Sequence, residues 1–196
     1  MAVPMLHAAT WERMIRAVER VRERCLRTAS TLESSGIPYA VCGGNAVAHW
    51  VASIDEGAVR NTPDVDILIR RADLEAAKTA MAAVGFEYAQ VAGVDLFIDG
   101  PDGKTSDGVH LLFAGEKVKA DDPVPVAEMS ETEQGAAFRV VSLEALVRMK
   151  LVAFRRKDQV HLQDLTRLGL LDATWPDRYP PVLADRLREI LADPDG

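Results

Sequence analysis

The apolar run "YAVC" ends in two glycines, Gly43 and Gly44, and passes directly into "NAVAHWVA" before a short loop leads to "RNTPDVDILI". This arrangement constrains the chain more than any other feature. A buried strand that turns through glycines into a helix brings backbone close to whatever lies at the turn, because glycine has no Cβ in the way. The helix start offers unpaired N–H groups and the positive end of its dipole, which suit a phosphate. On the next strand Asp64 and Asp66 stand two residues apart and point to the same side. Two ionised carboxylates so placed repel each other unless a cation lies between them. The pair of strands therefore reads as a phosphate cradle beside a metal site.

The remaining elements fit an α/β (α+β) chain. Residues 9–35 carry Trp11, Ile15, Val18, Val21, Cys25, Thr28 and Leu32 at three- and four-residue steps, which predicts a long amphipathic helix ended by "SSGIP". The core or a second copy of the chain, in a homodimer, would cover that stripe. "VDILI" is a strand, "ADLEAAKTAMAAVG" a helix, and "FEYAQVAG", "VDLFIDG" and "VHLLFAG" three short strands punctuated by turn residues. "EKVKADDPVPVAEMSETEQGAA" reads as an extended connection, "FRVV" as a last strand, and the rest as helices. The expected division is an N-terminal helix (1–35), a mixed-sheet core (36–141) and a C-terminal helical region (142–196), packed as one compact unit.

Charge and cysteines narrow the function. A net charge of −7 disfavours a protein whose main work is to wrap nucleic acid. The exception is the basic stretch "RMKLVAFRRK". Cys25 and Cys42 fall in an expected helix and an expected buried strand, so they read as core thiols and not as a disulfide or thiolate metal site. No apolar run is long enough to span a bilayer, and the charged N-terminus does not resemble a secretory signal; a cytoplasmic protein with no membrane association is expected.

"VCGGNAVAHW" together with "RNTPDVDILI" resembles the signature of the polymerase-beta-type nucleotidyltransferase superfamily, in particular its small bacterial enzymes and abortive-infection type toxins. The resemblance covers roughly residues 36–170. It implies a nucleotidyltransferase fold, a mixed sheet flanked by helices with a helical C-terminal part, and a metal-dependent enzyme. Such an enzyme moves NMP from an NTP, ATP among them, to an acceptor hydroxyl and releases pyrophosphate. The acceptor is left open between an RNA end, a protein side chain and a small molecule. By this likeness Gly43, Gly44, Asn45 and Thr62 are nucleotide-binding residues, and Asp64 and Asp66 are catalytic ligands of Mg2+, or of Mn2+.

The family pattern also expects a third carboxylate on a later strand, where "GVHLLFAGE" places His110. An imidazole can ligate metal or accept a proton but adds no negative charge, so His110 is taken as the third catalytic residue, with Asp95 and Asp99 as rivals. Arg60 is expected to form an ion pair. Lys150 lies on an apolar helix stripe with Leu143 and Leu146. It either snorkels, pairs with Asp164, or reaches the nucleotide phosphates. "KLVAFRRKD" is similar to a block of the abortive-infection type members, which implies that Lys150 binds phosphate, that Arg155 or Arg156 assists, and that Asp158 or Asp164 holds this basic group. The histidine at position 110 keeps a second reading alive: a catalytically weak nucleotide-binding or regulatory protein of the same fold, working in a toxin-antitoxin or abortive-infection pair.

Overall fold

The computed structural model describes residues 8–194. Its strands are β1 (Tyr39–Cys42), β2 (Val65–Ile69), β3 (Phe86–Val91), β4 (Val94–Asp99), β5 (Val109–Phe113), β6 (Thr132–Gln134) and β7 (Arg139–Val141). They form one seven-stranded sheet in the order β3-β4-β5-β2-β1-β7-β6. β2 runs parallel to β5 and β1 parallel to β7, whereas the other neighbours are antiparallel, so the sheet is mixed.

Six helices flank it: α1 (Ala8–Ser34), α2 (Gly43–Ala52), α3 (Leu74–Ala83), α4 (Leu143–Ala153), α5 (Arg156–Arg167) and α6 (Pro181–Ala192). None is long and apolar enough to cross a membrane.

Strand alternation sorts the side chains into two cores. Val65, Ile67 and Ile69 of β2, with Val109, Leu111 and Phe113 of β5, pack with Cys25, Ala29 and Leu32 of α1 and Ala77 and Met81 of α3. On the other face Ala40, Cys42 and Leu68 pack with residues of α2 and with Leu146, Leu151, Leu162, Leu165, Leu183 and Leu187 of the C-terminal helices. Each such leucine contributes roughly 1.5–3 kcal/mol by leaving water, which binds the helical region firmly to the sheet. Cys25 and Cys42 are free and buried.

Three local features go beyond the sequence reading. The N-terminal half of α1 continues the apolar stripe into solvent: residues 11–20 are exposed throughout, Trp11 and Ile15 among them. The connection after β5 contains the strand β6, which pairs with β7 over three residues, too few to show a period. The break between the last helices falls at Phe154, a non-glycine residue in left-handed conformation (φ 44°, ψ 30°). That conformation costs on the order of 1–2 kcal/mol. Arg186 of α6 offsets it, donating to the carbonyls of Leu151 (2.6 Å) and Val152 (3.1 Å) and lying over the Phe154 ring.

Candidate active site

The glycine turn and the acid-bearing strand are fitted to each other residue by residue. Gly43 has φ +63°, and a Cβ there would lie 1.8 Å from Asp66 Oδ2. A Cβ on Gly44 would lie 2.6 Å from Thr62 Oγ1. The two glycines therefore make room for Asp66 and Thr62. Asn45 completes the latch, its Nδ2 donating to the Asp64 carbonyl at 2.8 Å. The first turn of α2 follows, with no side-chain cap among the described residues, so its N–H groups remain the kind of anion-binding donors a helix start provides.

Cys42, Asp66 and His110 stand side by side on one sheet face, because β1, β2 and β5 pair in register there. His110 thus lies directly beside Asp66 on the neighbouring strand. Its Nδ1 lies 3.5 Å from Asp66 Oδ1, a long contact, and the carboxylate raises the imidazole above its ordinary pKa. The rival acids lie elsewhere. Leu96 pairs with His110, so Asp95 falls on the opposite face by alternation. There, although it also borders the cleft, it accepts from the hydroxyl of Tyr88 and from Gln90. Asp99 is held by Arg24 and Arg27 of α1.

The basic half of the site comes from the α4–α5 corner. Lys150 is buried with its Nζ 3.1 Å from Asp158 Oδ1, so its partner is Asp158 and not Asp164. Arg155 donates through Nε to Asp158 Oδ2 at 2.7 Å. Burial alone would raise the Asp158 pKa, but the hydrogen bond from Arg155 and the charge of Lys150 hold it below the usual carboxylate value. Asp164 instead receives Arg60 through a double hydrogen bond at 2.6 and 3.2 Å, which ties the loop before β2 to α5.

These groups border one cleft of about 740 Å³. Gly43, Gly44, Thr62, Asp64, Asp66, His110, Lys150 and Arg155 line it. Asn45 does not line it; its amide holds the backbone of Asp64. Two further residues that sequence reasoning passed over also line the cleft. Lys157 places Nζ 3.5 Å from Asp64 Oδ2, and His161 lies one turn further along α5. Lys157 ends the basic stretch "RMKLVAFRRK", and the sequence signal for His161 is its helical spacing from Lys157 and Asp164.

Among the described residues no group of three or more His, Cys, Asp or Glu side chains is arranged to hold a metal ion. Asp64 and Asp66 are nonetheless oxygen donors of the kind that hold Mg2+ when phosphate oxygens and water complete its shell.

No family model matches the sequence, and no curated protein does either. Solved structures do. One is a nucleotidyltransferase-like antigenic protein from Paracoccidioides brasiliensis, with a TM-score of 0.58 and 19% identity over 89% of this chain and 88% of that one. Another is ANT(2'')-Ia in complex with adenylyl-2''-tobramycin, with a TM-score of 0.53 and 16% identity over 87% of this chain and 97% of that one. The chain has the nucleotidyltransferase fold. Within that fold, the expectation of a mixed sheet flanked by helices holds, and the turn before α2 and the acids of β2 meet at one mouth of the cleft.

His161 supplies a pH prediction. Burial, with Lys150 adding to it, pushes its imidazole down from the ordinary 6.5 to about 4, and Nδ1 is buried without a hydrogen-bond partner among the described residues. Between those two values the unfolded chain takes up a proton that the folded chain refuses. Stability is therefore unaffected above pH 6.5 and falls as the pH drops through the window towards 4. Allowing for water that still reaches the ring, the loss is on the order of 2 kcal/mol. Denaturant midpoints taken above and within the window should fall further for the wild type than for His161→Phe; equal losses would mean that the folded protein accepts the proton.

Proposed function

We propose that this protein is a metal-dependent nucleotidyltransferase that moves NMP from an NTP to an acceptor hydroxyl and releases pyrophosphate. The observation that carries the reading is the latch: Gly43 and Gly44 lie so close to Asp66 and Thr62 that a helix start and two carboxylates share one cleft mouth. A phosphate chain placed there meets the N–H groups of α2 on one side and Lys150, Arg155 and Lys157 on the other. Asp64 and Asp66 would hold Mg2+, or Mn2+ in its place. Such an ion, when bound, polarises the phosphoryl oxygens and favours the attacking hydroxyl.

The chain's own residues do the rest by positioning and charge. The acceptor hydroxyl gives up its proton to solvent in the cleft as its oxygen bonds to the α-phosphorus and the bond from that phosphorus to the pyrophosphate oxygen breaks. The leaving pyrophosphate carries the electron pair towards the basic corner. Thr62 and Asn45 fix the loop that carries Asp64, and the Arg60–Asp164 pair fixes its other end.

His110 favours a second reading, a nucleotide-binding protein with little transfer, since an imidazole in register with Asp66 leaves the site one negative charge short. One experiment separates the two. Label from α-phosphate-labelled NTPs is followed in cell extract with Mg2+ or Mn2+, with Asp64→Ala/Asp66→Ala as the control. Label on an RNA, a protein or a small molecule with the wild type alone supports the transferase and identifies the acceptor. NTP binding without transfer supports the second reading, and loss of both overturns the phosphate cradle.

A further inference from the structure

Lys157 lies where two demands collide. It projects from the first turn of α5, its side chain 56% exposed, and its ammonium approaches Asp64 Oδ2 at 3.5 Å. It lines the same cleft as Asp66 and His110. A carboxylate that faces an ammonium offers less to a divalent cation, and His110 adds no negative charge to compensate. The same lysine borders the space that the triphosphate occupies in the reading above, beside Lys150 and Arg155.

Resting on that reading, we propose that Lys157 competes with the metal for Asp64 and transfers to the triphosphate when a metal–nucleotide complex arrives, so that metal and nucleotide bind as one unit. The nucleotide then supplies two things at once: oxygen ligands that two carboxylates and an imidazole do not provide, and a counter-charge that draws the lysine away. Free metal meets a site already neutralised. Free nucleotide meets a lysine held by Asp64. Only the pair satisfies both.

The side chain is long, exposed and without a buried partner of its own, so it can swing between the two without disturbing α5, whose other anchors are Asp158 at the corner and the Arg60–Asp164 pair.

The test is direct binding, read without turnover. Mn2+ affinity is measured by electron paramagnetic resonance with and without ATP, and ATP affinity is measured in EDTA, for the wild type, Lys157→Met and Lys157→Arg. For Lys157→Met, Mn2+ alone should bind roughly tenfold tighter and ATP alone roughly tenfold weaker, as expected for one charge at a half-solvated site. Lys157→Arg should keep the wild-type order. In the wild type, ATP should tighten Mn2+ binding by more than it does in Lys157→Met. If Lys157→Met leaves Mn2+ affinity unchanged while Mn2+–ATP still binds the wild type, the inference falls and the transferase reading stands. If the wild type binds no Mn2+–ATP at all, both fall together.

Discussion

Asp66→Asn should reduce nucleotide transfer roughly a thousandfold, the scale on which removing one electrostatic stabiliser slows a reaction, while the protein melts at or above the wild-type temperature. The substitution keeps the shape of the side chain in the space left by Gly43 and removes its charge. It also removes repulsion between Asp64 and Asp66, which lie on either side of Val65. Activity and stability should therefore move apart, which a merely structural role would not produce. Single-turnover transfer and a thermal melt on the same preparation check both. Transfer retained within tenfold would remove Asp66 from the chemistry.

The largest stability effect should come from Asp158→Ala. Asp158 and Lys150 have side chains only 1% and 7% exposed, and Asp158 also receives the backbone N–H and the guanidinium of Arg155. Removing the carboxylate leaves a buried ammonium unpaired, an outcome that costs about 3–5 kcal/mol. It also takes away the group that caps the start of α5. Removing both charges with Lys150→Met/Asp158→Leu should recover most of that loss, since a buried ion pair replaced by well-packed apolar groups is often neutral. The double variant should nevertheless stay weak in NTP binding. Urea unfolding of the three proteins decides the first point: a single variant within 1 kcal/mol of wild type would mean that water reaches Lys150.

Much of the sheet and one half of the site were legible from local pattern. β1 and β2 are largely apolar runs buried on both faces apart from Asp66, β5 buries one face fully, and the glycines that follow β1 mark a turn that no other residue type could take beside Asp66. That "VHLLF" is a strand was legible, whereas its histidine was singled out by the family resemblance and its place beside Asp66 comes from strand pairing.

The other half depends on packing that no window of sequence contains. Nothing near Phe154 announces a left-handed residue, because its support comes from Arg186 of α6. The partner of Lys150 was ambiguous between two aspartates on the same helix, and the sharp turn at the corner selects Asp158. Lys157 looks like an ordinary solvated charge until Arg60 and Asp164 draw α5 against the loop that carries Asp64. Asn45 was expected to bind nucleotide, and its bond to the Asp64 carbonyl depends on the closeness of the loop before β2, which no window of sequence shows. The stripe of α1 shows the same limit, since periodicity reveals an apolar face and not what covers it.

The division of the site between strands that end by residue 113 and a corner at residues 150–158 has a consequence for how the protein comes into being. Synthesis is directional, and domains emerge at a few residues per second. A chain still being translated already carries the glycine turn and the carboxylates, but Lys150, Arg155 and Lys157 are unmade or inside the ribosome. Until α4 and α5 are released and close over the strand ends, the helix start at Gly43 faces no Lys150, Arg155 or Lys157 across the cleft. On the proposed function, the full set of groups that would handle the nucleotide is present only after α5 has emerged.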